Sequence, residues 1–492
     1  MLRRLNRLHF RHNASALFQI SEVPFPSFTV PLTTTKSSIP LRKLRKMSSS
    51  SSSELQPPAA PTATRHPTGP VPFLEYPSPN TTSTSNNSNS TTKPKRYLLF
   101  FISGNPGLID YYAPFFTHLR SLLDELESKS AASSSPGHHQ PITFHIYGQN
   151  LIGFSDSDHA PFVPGSPDTE PFMLEEQISH LYNSLVSLTH QKGPFDEIIL
   201  AGHSVGSFLS LEILRRSLQS SSSSPPSVKL PITTALLLFP TIHQMHLSPS
   251  GLHLSRIRSI PFLNRYAHVL AKSVVDLVPR FALRWITRKV LGMSEHGSEV
   301  TTRFLQSRDG IWQAIHLGKD EMGVIRDGEG RWGWWSSSSS PITPIASTST
   351  STAEQHESNR DDLEEEEEEE VVVAKEIEAV EEDWQRVADA QIRQEEHEHH
   401  EQKRQEKRQE QEHEEATKKL KFFLYFGQND HWVADRYRDE FIERRKREGH
   451  TGKEGGTKIV IDEDRIPHAF CINHSEQVAE KVRVWIEEVV EG

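Results

Sequence analysis

A single cysteine in 492 residues, Cys471, excludes an intramolecular disulfide. No secretory leader of charged start, apolar centre and small-residue cleavage site is visible, so a reducing compartment is expected. Long uncharged apolar runs are scarce too. Even the apolar stretch 248–292 is interrupted by eight Arg and Lys and by Asp276, too often for a membrane-spanning helix of about 20 apolar residues. A basic stripe with interleaved aromatics is missing, which removes nucleic acid from the expected partners. The net charge of −11 is local, because residues 361–420 carry 24 Asp and Glu against 9 Lys and Arg. The rest of the chain is therefore slightly basic, with nothing to suggest an acidic or strongly cationic partner.

Low-complexity sequence divides the chain. Residues 1–46 hold nine Lys and Arg and only Glu22 as an acid, a composition that resembles an organellar transit peptide. Met47, followed by six serines, offers an alternative start. The whole of 1–95, basic and then Ser/Pro-rich, is expected to be a disordered extension, with Val71-Pro-Phe-Leu-Glu-Tyr76 its only candidate edge strand. Residues 336–419 form an acidic insertion rich in Glu, Gln and His. Seven adjacent glutamates, 364–370, should stay solvated, and the later part has the (i, i+4) charge pattern of one polar helix. His397, His399, His400 and His413 lie there without a spacing that enforces metal ligation, so no metal is expected.

Between these lies the chemistry. Glu197 to Leu214 reads as strand, sharp turn, helix: Ile198, Ile199, Leu200 and Ala201 are a buried run, and Gly202-His203-Ser204-Val205-Gly206 reverses the chain. In such a G-x-S-x-G elbow the small residues let strand and helix pack closely while the serine takes a strained backbone and presents its Oγ. Arg96 to Ser103 is another apolar strand, ending in Gly104-Asn105-Pro106-Gly107. The loop after this strand and the residue after the elbow serine supply oxyanion-hole N–H groups in an α/β-hydrolase. Here those donors are expected to be Asn105 and Val205, since Pro106 has no N–H. Strands at 142–148 and 233–239 alternate with helical stretches at 111–123 and 174–189, the pattern of parallel βαβ units. In the polar loop 150–171, His159 is expected to be solvated.

The interval from 241 to about 419 is too long for a crossover, so residues 241–335 are expected to form a helical cap, whose helical pattern continues over 303–326. Its apolar and basic stretch suits a phospholipid surface. The core is then 96–240 and 420–492. Lys421 to Phe426 is a strand followed closely by Asp430, where the acid of a Ser-Asp-His triad belongs, and His468 lies in the loop after the last strand, 457–462. Asp462 and Asp464 are the competing acids. His203 is expected beneath the nucleophile. Ser204, Asp430 and His468 would together transfer an acyl group to water, with no cofactor required.

Ile102-Ser-Gly-Asn-Pro-Gly107 with Tyr111-Tyr112, Gly202-His-Ser-Val-Gly206, Leu238-Phe-Pro-Thr241 with Ser248-Pro-Ser-Gly251, and Pro467-His-Ala-Phe470 resemble the lipid-droplet-associated hydrolase family of the α/β-hydrolase superfamily. The resemblance covers residues 96–330 and 420–490. It implies an α/β-hydrolase fold, a Ser-Asp-His esterase, a place on the lipid droplet with a cytosolic or endoplasmic reticulum pool, and neutral lipid esters such as sterol esters or acylglycerols as substrate, with the droplet's phospholipid monolayer as partner. The extension 1–95 and the acidic insertion depart from the family. A droplet-binding protein that keeps the hydrolase shell with little or no catalysis is the alternative, and a soluble thioesterase or peptidase-like hydrolase the third.

Overall fold

The computed structural model describes residues 65–81, 93–132, 140–220, 230–326, 420–447 and 456–491, with single helical positions at 391, 394, 401, 403 and 404. The stretch 1–46, the polyglutamate run and the four insertion histidines lie outside the described residues. The chain divides into two compact units, residues 218–227 with 329–420, almost wholly undescribed, and the remainder, which holds the strands and helices that follow.

The apolar runs become strands β2 (Lys95–Ile102), β3 (Ile142–Gln149), β4 (Glu197–His203), β5 (Ile232–Leu238), β6 (Lys421–Phe426) and β7 (Thr457–Ile461), each parallel to its neighbour. β1 (Phe73–Tyr76) falls within the one stretch of the extension with strand character and pairs antiparallel with β3 at the edge. The order is β1-β3-β2-β4-β5-β6-β7. Central strands of a parallel sheet must be covered on both faces. Leu99 and Phe101 of β2 accordingly join a core with helices α1 (Ala113–Ala132) and α10 (Ser475–Glu491). Their neighbours Leu98 and Phe100 are equally buried and, by the strand's period of two, point to the opposite face. This is the α/β-hydrolase class of fold.

From β2 the chain turns outward to β3, and from β4 it runs the other way to β5. Adjacent strands whose connections diverge leave a crevice at their carboxyl ends. The loop carrying Asn105 and the turn carrying Ser204 both open onto that crevice.

Between β5 and β6 the described chain forms α4 (Pro249–Arg258), α5 (Pro261–Asp276), α6 (Arg280–Trp285), α7 (Glu295–Gln306) and α8 (Gly310–Val324). Local chemistry sets these boundaries. Pro249 and Pro261 open their helices, and the Ser248 and Ser294 hydroxyls accept from Gly251 and Gly297 N–H at 3.0 and 3.1 Å as N-caps. The helical sequence expected over 303–326 is divided between α7 and α8. Arg308 donates its N–H to the Asp156 carboxylate at 2.9 and 3.0 Å, and Ser307 Oγ accepts from Gly310 N–H at 3.2 Å, which starts a new helix.

His159 also departs from expectation: it is 7% exposed, because the polar loop is clamped inward rather than solvated. Its Nδ1 meets Asp158 Oδ1 at 2.6 Å, its Nε2 meets Asp309 Oδ2 at 3.2 Å, and its ring stacks on Phe162. Gln313 on α8 brackets the same loop, exchanging two 2.8 Å hydrogen bonds with the Phe172 backbone. Burial pulls the His159 imidazole down, but hydrogen bonds to the two carboxylates outweigh it and hold it at about 9. A histidine raised in the folded state contributes stability that is complete below its unfolded value of 6.5 and is lost as pH rises through about 9. His159→Gln should therefore cost about 2–3 kcal/mol near pH 6, where it takes the cation from buried Asp158 while Asp309 keeps Arg308 at 2.6 Å. The gap in thermal midpoint to wild type should close toward alkaline pH; a gap independent of pH would refute this role.

Candidate active site

The elbow glycines are sterically required. A Cβ on Gly202 would lie 2.3 Å from the Gly206 carbonyl oxygen, and one on Gly206 would lie 2.2 Å from that of Ile102. Between them Ser204 has φ 54°, the left-handed region that a serine enters only when its surroundings hold it there. Its N–H donates to the Leu238 carbonyl at 3.0 Å, and its own carbonyl accepts from Ser207 N–H at 3.0 Å as α3 (Val205–Ser220) begins.

Two distant loops meet this serine. His468 Nε2 lies 2.9 Å from Ser204 Oγ, and His468 Nδ1 lies 2.7 Å from Asp430 Oδ2. Asp430 Oδ1 accepts from Trp432 N–H at 2.8 Å, which fixes the carboxylate plane. Burial alone would push the Asp430 carboxyl up, but the histidine and the Trp432 N–H hold it below the usual range. Asp462, a competing acid, is used elsewhere. It accepts from Ile466 N–H at 2.6 Å and from the Tyr425 hydroxyl, and so shapes the loop that carries His468.

His203 does sit beneath the nucleophile, in a chain of neutral hydrogen bonds. Burial, with the neighbouring His468, pulls it down to about 3, so the ring is neutral. Its Nε2 lies 2.8 Å from the His468 carbonyl and must carry the proton; Nδ1 then accepts from the Tyr112 hydroxyl at 2.6 Å, whose oxygen accepts from Gly104 N–H at 3.1 Å. One buried ring thus ties the glycine loop after β2 to the loop of His468. Tyr112 has no role that spacing alone could assign; its signal is a polar aromatic on an otherwise apolar helix start.

Of the expected oxyanion donors, Val205 follows the serine directly and Asn105 lines the same cleft. A Cβ on Gly104 would lie 3.0 Å from Ser204 Cβ, so the glycine loop abuts the elbow. Val205 opens α3, where a backbone N–H has no carbonyl one turn earlier within the helix. Gly104, Asn105, Ser204 and His468 line a cleft with Trp432 and Glu321 of α8 among its other walls. Among the described residues no group of three or more His, Cys, Asp or Glu could hold a metal ion.

The family model described as lipid-droplet associated hydrolase matches residues 95–384 and 373–471. The lipid droplet-associated hydrolase of Rattus norvegicus is 29% identical over 238 residues, 47% of this chain and 63% of that protein. Its counterpart in Pongo abelii is 32% identical over 237 residues, covering 47% and 64%, and that of Dictyostelium discoideum 28% over 213 residues, covering 42% and 57%. The matched stretch thus spans 63% of the rat protein's length. Among solved structures, a haloalkane dehalogenase loop variant from Bradyrhizobium elkanii is 10% identical at a TM-score of 0.38, covering 85% of this chain and 98% of its own. A laboratory-evolved variant of potato epoxide hydrolase is 12% identical at 0.37, covering 80% and 94%. With the family model reaching from residue 95 to residue 471, well over half the sequence, this chain belongs to the lipid-droplet-associated hydrolase family.

Proposed function

We propose that this chain is a serine hydrolase that cleaves acyl esters of neutral lipids at a lipid-droplet surface. The observation that carries the reading is the line Ser204 Oγ, His468 Nε2, His468 Nδ1, Asp430 Oδ2, with spacings of 2.9 and 2.7 Å. A serine hydroxyl is a weak nucleophile. His468 takes its proton as Oγ attacks the ester carbonyl, and Asp430 stabilises the imidazolium formed. The N–H groups of Asn105 and Val205 receive the oxyanion, each worth on the order of 3–4 kcal/mol in comparable sites. His468 then protonates the leaving alcohol, and water releases the acyl group by the same steps in reverse roles. The test is fluorophosphonate labelling of the wild type, with Ser204→Ala as the blank.

The droplet part of the reading draws support from the relatives' names and from the cap. Leu277 is 85% exposed and Phe281 77%, and Phe262, Val274, Trp285 and Val290 of the same stretch of chain are exposed too. So many large apolar side chains left exposed within 262–290 suit a surface that binds something. The basic flank is weaker than the sequence implies, because Arg280, Arg284 and Arg288 face Glu299 and Glu295 of α7 at 2.7 to 3.4 Å. No helix among the described residues is long and apolar enough to cross a membrane. Each apolar side chain inserted is worth roughly 1.5–3 kcal/mol, so Leu277→Ser with Phe281→Ser should weaken binding to phospholipid-coated triolein droplets by about two orders of magnitude or more. Hydrolysis of a soluble short-chain ester should be unaffected. Unchanged flotation with the droplets would sink this assignment.

A further inference from the structure

The cap sends a carboxyl into the cleft that the scheme above leaves unused. Glu321 is 2% exposed and lines the cleft together with Asn105, Ser204 and His468. Asn105 Nδ2 donates to Glu321 Oε1 at 3.0 Å and to the Ala314 carbonyl at 3.0 Å, so both amide protons go to α8.

Charge around Glu321 is unfavourable to a carboxylate. Its charged neighbour is Asp320. The nearby cations turn elsewhere, Lys319 to the Asn264 carbonyl and Arg326 to the Met322 carbonyl. A buried carboxyl without a cation keeps its proton.

We propose that Glu321 is a positioning residue of this site: from the cap it grips Asn105, and so sets the loop whose backbone N–H faces the oxyanion. The inference rests on the serine-hydrolase reading. Glu321 does this as a neutral acid, accepting from Asn105 without bringing charge to the cleft. Burial pushes its carboxyl up to about 8, against the Asn105 hydrogen bond and with Asp320 adding. Ionised, it would place a negative charge beside the loop that must stabilise another, in surroundings where the field is poorly screened. Glu321 should therefore leave turnover undiminished while it is protonated, below about pH 8, and depress it as pH rises through that value.

The remaining titratable groups on the cleft are Tyr111, Tyr112, His203, His431, His468 and Cys471. Burial holds both tyrosines above the ordinary tyrosine range and Cys471 up to about 12, and keeps His203 at about 3. None of these four changes charge around pH 8. His431 and His468 are present alike in wild type and variants, so a difference between the two profiles isolates Glu321. Folding carries the same signature: an unfolded glutamate ionises near 4.5, so Glu321 destabilises the folded chain increasingly between about 4.5 and about 8.

The experiment measures kcat and KM for a soluble short-chain ester from about pH 6 to about pH 9.5, on the full chain and on Glu321→Gln and Glu321→Ala. Glutamine copies the neutral acid. It should keep kcat near pH 7 within about threefold, abolish the alkaline fall, and raise the thermal midpoint at pH 8. Alanine should lower kcat about 10- to 100-fold with KM within about threefold, as expected when a transition-state donor is left loose. Glu321→Gln retaining the wild-type alkaline fall, or Glu321→Ala matching wild-type kcat, would overturn the proposal while the hydrolase reading stands. A folded wild type that turns over no ester and takes up no fluorophosphonate would overturn the hydrolase reading, and this inference with it.

Discussion

Ser204→Ala should abolish labelling by a fluorophosphonate and lower hydrolysis of a short-chain ester by on the order of 10⁴–10⁶. The loss is large because the variant has no atom to attack with, whereas His468, Asp430 and the oxyanion donors retain their places. What remains is the binding and oxyanion stabilisation that any water attack would share. Folding should survive. The Ser204 hydroxyl meets His468 at the mouth of the cleft, and alanine accepts the φ of 54° about as readily as serine. The thermal midpoint should stay within about 2 °C. The variant also separates the two leading functions. A lipid-storage phenotype restored in full by Ser204→Ala would mean that the fold serves as a droplet-binding shell, and the hydrolytic reading would fall.

Much of this site was readable in the sequence because each member announces itself locally. An apolar strand, then a glycine turn, then a helix is encoded within about fifteen residues, and Ser204 sits at the only point of that unit where the turn leaves a side chain outside. Asp430 and His468 are far from it in sequence, His468 by 264 residues, yet each follows the end of an apolar strand, and parallel strands bring their carboxyl ends to one edge. Glu321 and His159 had no such marker. Glu321 meets Asn105 across 216 residues and His159 meets Asp309 across 150, so both contacts depend on where the cap helices land. A faint signal for Glu321 existed: Gln313, Leu317 and Glu321 recur every four residues and are all buried, a helical face on which two polar residues require partners. His159 reads as solvated because its sequence neighbours are polar, although one of them, Asp158, is an acid that holds it inside. The cap cations failed similarly. Sequence shows Arg280 and Arg284 beside apolar residues, and only the fold shows α7 bringing Glu295 and Glu299 to them.

Asp430→Asn should lower kcat by about 10³–10⁴ with KM within a few-fold, and the reason lies in which atom of the new amide faces which neighbour. Trp432 N–H donates to Oδ1 at 2.8 Å, so an asparagine here keeps its carbonyl oxygen on that bond. Its NH₂ then turns toward His468 Nδ1, where Asp430 Oδ2 lay at 2.7 Å. An NH₂ group facing Nδ1 makes that nitrogen an acceptor, which moves the ring proton to Nε2 and removes the lone pair that should receive the proton of Ser204. Geometry would be preserved and the tautomer wrong. The competing acid predicts the opposite pattern. Asp462 accepts from Tyr425 and from the backbone of the loop carrying His468, so Asp462→Asn should lower the thermal midpoint and leave kcat within about tenfold of wild type. If Asp462→Asn instead loses kcat by about three orders of magnitude while Asp430→Asn keeps it, the acid of the site is Asp462, and the hydrogen bond that Asp430 accepts from His468 is only structural.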